Sequence, residues 1–242
     1  MIAQGKEQQA LETVQEFLPF LGILGLFCHA HCEKACVRSK IDGPVKIRAL
    51  HRYLAENESQ FIEKAADASK SPSGKSIAIW GSGPSGLMAA WRLSRNGHRI
   101  VVFESGKELG GTLRNDIFTS QIHHEAISAM MNTIIATGIE IRLNTELGKD
   151  VTFNQLLSSY DAVVITYKDD LELSSWLADA QIKREITLRP DLGTLQVADQ
   201  KKIFACRDIS DKGTLLANAL AMGRTASESA HRFLSKEEGS DL

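Results

Sequence analysis

The chain has 242 residues, 43% of them hydrophobic and 24% charged, with a formal net charge of −2. These proportions are ordinary for a soluble globular protein of one domain, or one plus a small appendage, and the charge gives no electrostatic basis for binding nucleic acid or an anionic membrane surface. Its four cysteines are too few for a disulfide scaffold, and three of them (Cys28, Cys32 and Cys36) lie close together, which points to metal or cluster chemistry in a reducing compartment, read as the cytoplasm.

From the N-terminus, Met1 to Gln15 is polar and helix-prone, with Leu11 and Val14 on one side, and predicts an amphipathic helix. Phe17 to Phe27 (FLPFLGILGLF) is apolar but interrupted by Pro19, Gly22 and Gly25. It is too short to span a bilayer, and no basic segment precedes it as in a signal peptide. Two readings stand: a connector buried against the core, or an interface for another chain. Cys28, Cys32 and Cys36 follow with C-x3-C-x3-C spacing. Thiolates at this spacing suit an iron–sulfur cluster; zinc held with His29 or His31, or three buried reduced thiols, are the other readings. Pro44 to Leu54 predicts a helix with proline in its first turn and Ile47, Leu50 and Leu54 on one face. Ser69 to Ser76 (SKSPSGKS) reads as a linker and divides the chain into a helical cysteine-bearing region, 1–70, and a dinucleotide-binding domain, 75–242.

Lys75 to Glu104 carries the strongest signal. Ser76 to Trp80 is a short apolar strand, followed at once by Gly81-Ser82-Gly83-Pro84-Ser85-Gly86, a G-x-G-x-x-G turn. The first glycine makes a tight turn, the second lets the backbone approach a pyrophosphate, and the third lets a helix pack on the strand. Leu87 to Asn96 predicts that helix, Gly97 its cap, and Ile100 to Phe103 a second parallel strand ending at Glu104, where an acid can take a ribose diol. The fingerprint alone does not separate FAD from NAD. Asp161 to Thr166 and Lys202 to Cys206 predict further strands, with Asp208 just beyond the carboxyl end of the last, where open parallel sheets bind ligands. A turn or cap role is the alternative for Asp208. Cys206 reads as core packing, and His98, His123 and His124 as surface or internally satisfied histidines.

The order C-x3-C-E-x2-C, P-V-x-I-R-x-L-x-R-Y, linker and G-S-G-P-S-G-L-x-A-A resembles the small subunit of glutamate synthase, whose relatives include the N-terminal part of dihydropyrimidine dehydrogenase. The resemblance resumes at Leu109-Gly110-Gly111-Thr112-Leu113-Arg114, Thr137 to Thr145, Leu147 to Asp150, Tyr160 to Ile165 and Ile203 to Asp208. It implies FAD at the glycine turn. Gly81, Gly83, Ser85 and Gly86 would hold the pyrophosphate, with Pro84 beside them, and Glu104 the adenosine ribose, with Ser105 adjoining. Gly110 and Gly111, with Thr112 and Arg114, would line the cofactor's path. Asp208 would address the ribityl and pyrophosphate region, and a helix over Gly213 to Arg224, including Thr214, would point its positive end at the flavin.

The chain departs from that family in three ways. Only Tyr167 to Lys201 stands where a nicotinamide domain is expected, so 169–200 reads as a short connector. The family's upstream cysteine run is not in this sequence, so either a partner chain or a neighbouring histidine completes a [4Fe-4S] cluster at Cys28, Cys32 and Cys36, or the site is empty. Ile165-Thr166-Tyr167 replaces A-T-G, Arg207 precedes Asp208 where glycine is usual, and Asp116-Ile117-Phe118 replaces G-I-P.

The expected fold is therefore α/β: a doubly wound, parallel, Rossmann-like FAD domain behind a short helical region, with a small β-meander in place of the insertion. The expected function is an FAD-bearing electron-transfer subunit of a multi-subunit iron–sulfur redox complex, partnered by iron–sulfur or catalytic subunits. A non-catalytic scaffold with structural or lost FAD is the alternative, and a stand-alone NAD(P)-dependent oxidoreductase the second.

Overall fold

The computed structural model describes residues 1–57, 71–114, 124–167, 193–197, 200–208 and 216–237. Its centre is a six-stranded sheet of order β3-β2-β1-β4-β6-β5. The strands are β1 (Ser76–Trp80), β2 (Arg99–Phe103), β3 (Glu140–Arg142), β4 (Ala162–Tyr167), β5 (Gln196–Val197) and β6 (Gln200–Arg207). All pairings are parallel except β5 with β6. Strand order reverses between β1 and β4, so a crevice opens at the carboxyl ends of the central strands, the usual ligand position in such sheets.

Alternation along the strands explains the layers. Ile77, Ile79, Ile100, Val102, Val164 and Phe204 face one core, and Ala78, Trp80, Val101, Phe103, Val163 and Ile165 the other. The first core is covered by α5 (Pro84–Arg95), α6 (His124–Ile135) and α8 (Leu216–Glu237), the second by α7 (Phe153–Ser159). The strands match the sequence reading to within a residue or two. Helix α5 starts at Pro84 rather than Leu87, because a proline at the first helical position loses no hydrogen bond. Gly97, at φ +84°, turns the chain out of it as expected. Of the expected meander, the described residues contain only β5.

The N-terminal region forms α1 (Glu7–Gln15), α2 (Leu21–Phe27), α3 (His31–Lys34) and α4 (Ile47–Glu56). The apolar run takes the connector role: Phe20, Ile23 and Leu24 are buried in the same core as the sheet and α5, while Leu21 joins Leu11 and Leu54 in a smaller cluster. A side chain on Gly25 would come within 2.6 Å of Arg52 Cα, so α2 and α4 touch almost backbone to backbone. The cysteine-bearing region is thus joined to the sheet through apolar packing. The proposed boundary falls beside residues 58–70, outside the described part, as do His123, Gly213, Thr214 and most of the 169–200 connector.

His98 is internally satisfied. Its Nδ1 lies 2.7 Å from Ser73 Oγ and its Nε2 2.9 Å from His231 Nδ1, which ties the linker to α8. At the same end of the sheet, Asp161 Oδ2 accepts from Ser76 N at 2.8 Å and from Ser76 Oγ at 3.1 Å. Burial alone would raise this carboxyl's pKa, but the two Ser76 donors, with Lys75 and Lys202, outweigh it and hold the pKa below its ordinary value. The Asp161 contribution is then present above the unfolded carboxylate pKa and lost as pH falls through the lower folded one. Asp161→Asn is expected to cost about 0.5–1 kcal/mol at pH 7, and chemical denaturation should show the gap narrowing as pH falls below the ordinary carboxylate pKa.

Candidate functional site

The glycine turn follows β1 and opens α5. Gly81, at φ +90°, donates its N–H to Phe103 O at 2.8 Å, which locks the turn to the end of β2. A side chain on Gly81 would strike the hydroxyl of Thr166, and one on Gly86 would strike the carbonyl of Gly81 and come 3.1 Å from Thr166 Cγ2. Thr166, on β4, therefore backs the turn. A side chain on Gly83 would strike the carboxylate of Asp208, whose own N–H is bonded to Tyr167 O at 2.9 Å. The double glycine is drawn in as well: a side chain on Gly111 would lie 3.1 Å from Gly83 Cα.

Glu104 and Asp208 are both buried, at 8% and 5% exposure. Asp208 lies against the start of α5, where unpaired helix N–H groups favour negative charge. Glu104 is engaged by the chain itself. Its Oε2 accepts from Ser82 N at 3.0 Å and Ser82 Oγ at 2.5 Å, and its Oε1 from Gly106 N at 2.7 Å and Ser105 Oγ at 3.3 Å. Ser82 Oγ also accepts from Gly110 N at 3.0 Å. Arg114 donates from Nε to Leu109 O at 2.5 Å and pairs with Glu108 at 2.9 Å.

The fold thus brings together Gly81, Gly83, Pro84, Ser85, Gly86, Glu104, Ser105, Gly110, Gly111, Thr112, Arg114 and Asp208. Ser82 was not singled out from the sequence, because it fills a variable position of the fingerprint. Gly223 was also missed: a side chain there would strike the carbonyl of Ser85, so α8 rests directly on the first turn of α5. Arg207 stacks 5.6 Å over the Tyr167 ring, pairing two bulky residues at the strand ends beside the glycine turn. Cys206 is core packing: burial first, then the Asp208 charge, push its thiol up to about 12.

The residues fit a dinucleotide in two respects. The helix start is glycine-lined, and the buried Thr112 hydroxyl has no hydrogen-bond partner among the described residues. They fit less well at Glu104, whose oxygens already accept four hydrogen bonds from the chain; the longest, from Ser105 Oγ at 3.3 Å, is the one a ribose hydroxyl would most readily replace.

The cysteine segment is more open. Cys28 and Cys36 are half-buried and Cys32 is exposed. Cys28 Sγ accepts from Ala30 N at 3.4 Å, and Glu33 Oε1 accepts from Arg48 N at 2.8 Å, pinning α3 to the start of α4. Backbone N–H groups of Val45, Arg38 and Ser39 hold the Cys36 thiol below its ordinary value. Among the described residues no group of three His, Cys, Asp or Glu side chains is gathered closely enough to hold a metal ion.

Two family descriptions match the chain: "NAD(P)-binding Rossmann-like domain" over residues 79–134, and "Dihydropyrimidine dehydrogenase domain II, 4Fe-4S cluster" over residues 1–62. Among curated proteins, the NADP(+)-dependent formate dehydrogenase subunit beta of Moorella thermoacetica is 31% identical over 185 residues, covering 68% of this chain and 26% of that protein. The glutamate synthase [NADPH] small chain of Escherichia coli is 36% identical over 134 residues, covering 55% of this chain and 28% of that protein. This chain therefore spans little more than a quarter of the length of these two relatives. Among solved structures, Thermovibrio ammonificans THI4 aligns over 74% of this chain and 96% of its own, with a TM-score of 0.46 and 15% identity. Its cysteine segment matches the 4Fe-4S description and its glycine turn the Rossmann one, and over more than half of its length the chain is similar to the glutamate synthase small chain and to the formate dehydrogenase subunit beta.

Proposed function

We propose that the chain binds FAD at its glycine turn and serves as the flavin-bearing electron-transfer subunit of a larger iron–sulfur redox complex. One observation carries this reading: Glu104, the double glycine Gly110-Gly111 and Asp208, from three separate stretches of sequence, meet at the turn that opens α5. In this reading the start of α5 receives the pyrophosphate, Glu104 the adenosine ribose and Asp208 the sugar-like chain that leads to the flavin ring. Bound flavin would supply exchange of either one or two electrons. Gly213 and Thr214, outside the described residues, are proposed for the flavin end by the resemblance alone. A [4Fe-4S] cluster at Cys28, Cys32 and Cys36 enters the proposal only as completed by a partner chain, whose class is an iron–sulfur or catalytic subunit, in the cytoplasm. The second reading, a scaffold with structural or lost FAD, draws support from the internally engaged Glu104 and the Arg207–Tyr167 stack.

The test is the visible spectrum of the purified chain, followed by anaerobic stopped-flow mixing. Oxidised flavin bands are expected, and neither NADH nor NADPH should bleach them, whereas dithionite should. No flavin, even after reconstitution with excess FAD, would favour the scaffold. Rapid bleaching by a nicotinamide would replace the proposal with a stand-alone oxidoreductase.

A further inference from the structure

Ser82 occupies an otherwise unassigned position between the glycines, yet it holds two of the proposed ligand-binding segments in register. It is fully buried, and its hydroxyl donates to Glu104 Oε2 while accepting from Gly110 N, so one side chain bridges the end of β2 and the double-glycine loop. Its backbone N–H adds a second tether to the same carboxylate oxygen. A carboxylate reads a ribose diol only if its oxygens stand at a set position and angle, and a buried charge-assisted hydrogen bond holds them there. Glu104's other oxygen is fixed by Gly106 N and Ser105 Oγ, so the carboxylate is oriented before any ligand arrives.

We infer that Ser82 is a positioning residue that aims Glu104 at the ribose hydroxyls of an adenine dinucleotide and holds Gly110 beside it; this rests on the dinucleotide-site reading above. Ser82 does not touch ligand in this scheme. Its effect passes through Glu104, so its loss should erase discrimination between ribose and deoxyribose rather than weaken all nucleotides alike.

The experiment is calorimetric titration of the cofactor-stripped protein with ADP and 2′-deoxy-ADP. Wild type should prefer ADP by about tenfold, the effect of one hydrogen bond to a charged group. Ser82→Ala should reduce that preference to about twofold or less, Glu104→Gln should do the same, and the double variant should show no further loss. Ser82→Gly serves if the alanine variant does not fold, since it removes the same hydroxyl without adding bulk. A retained preference in either serine variant, an equal loss for both nucleotides, or additive effects of Ser82→Ala and Glu104→Gln would overturn the positioning role alone. Failure of wild type to bind either nucleotide or FAD would overturn the dinucleotide site, and this inference with it.

Discussion

Gly83→Val is expected to abolish flavin binding and to lower stability by about 3 kcal/mol, a fall in Tm of about 6–12 °C for a chain of this size. The first effect comes from the ligand side, where a branched side chain at the second glycine bars a pyrophosphate from the helix start. The second comes from the protein side. The space a side chain would enter at Gly83 is taken by the buried Asp208 carboxylate, with Asp208 Cγ only 2.6 Å from where Cβ would stand. Asp208 cannot retreat cheaply, because its backbone N–H is bonded to Tyr167 O and β6 is paired with β4 up to Arg207. The clash therefore displaces a charged group into apolar surroundings or opens the strand end. A double-mutant cycle separates the two effects. Gly83→Ala should cost at least about 1 kcal/mol less in an Asp208→Ala background than in wild type, because the clash is then gone. Flavin should remain absent from the double variant. Stoichiometric flavin in folded Gly83→Val would show that the cofactor lies elsewhere.

That argument also marks where the sequence was readable. The turn, the strands around it and Glu104 could be placed because each belongs to a short-range pattern: apolar runs, glycines at fixed offsets and an acid at the end of the next strand. Asp208 could be placed at a strand end, but its contact with Gly83 could not, because it joins residues from distant parts of the chain. Ser82 was illegible for a different reason. The fingerprint records where side chains must be absent, and it is silent about what a small polar residue between the glycines bonds to. The apolar run Phe17 to Phe27 had two readings in sequence, because density of apolar residues does not say which surface covers them. Folding places Phe20, Ile23 and Leu24 in the core shared with α5, α6 and α8, leaving Phe17 half exposed. The cysteines were legible through their spacing: it suggests a shared ligand, and the segment that holds them matches the 4Fe-4S description.

Gly223→Ala tests the long-range part of the site with a substitution whose sign differs between a local and a tertiary account. Gly223 lies inside α8, a 22-residue helix, where alanine is better by about 1 kcal/mol on propensity alone. The fold reverses that sign. A methyl group there would strike the Ser85 carbonyl and come within 2.9 Å of Ser85 C and 3.0 Å of Met88 Cβ. Two of those three atoms are backbone in the first turn of α5, so relief requires α8 to move off α5 as a body. The helices are also held by Arg92, whose Nη2 lies 3.1 Å from Glu228 Oε1 in a half-buried ion pair, and that link would stretch with the shift. A net loss of about 2 kcal/mol is expected, the overpacking cost exceeding the propensity gain, with Tm falling by about 4–8 °C. Because Ser85 belongs to the turn proposed to receive the pyrophosphate, flavin affinity should fall in the same variant, measured by titrating FAD into stripped protein. A rise in Tm with unchanged affinity would mean that α8 stands further from α5 than the fold has it. The support of the glycine turn would then have to come from Thr166 and Asp208 alone.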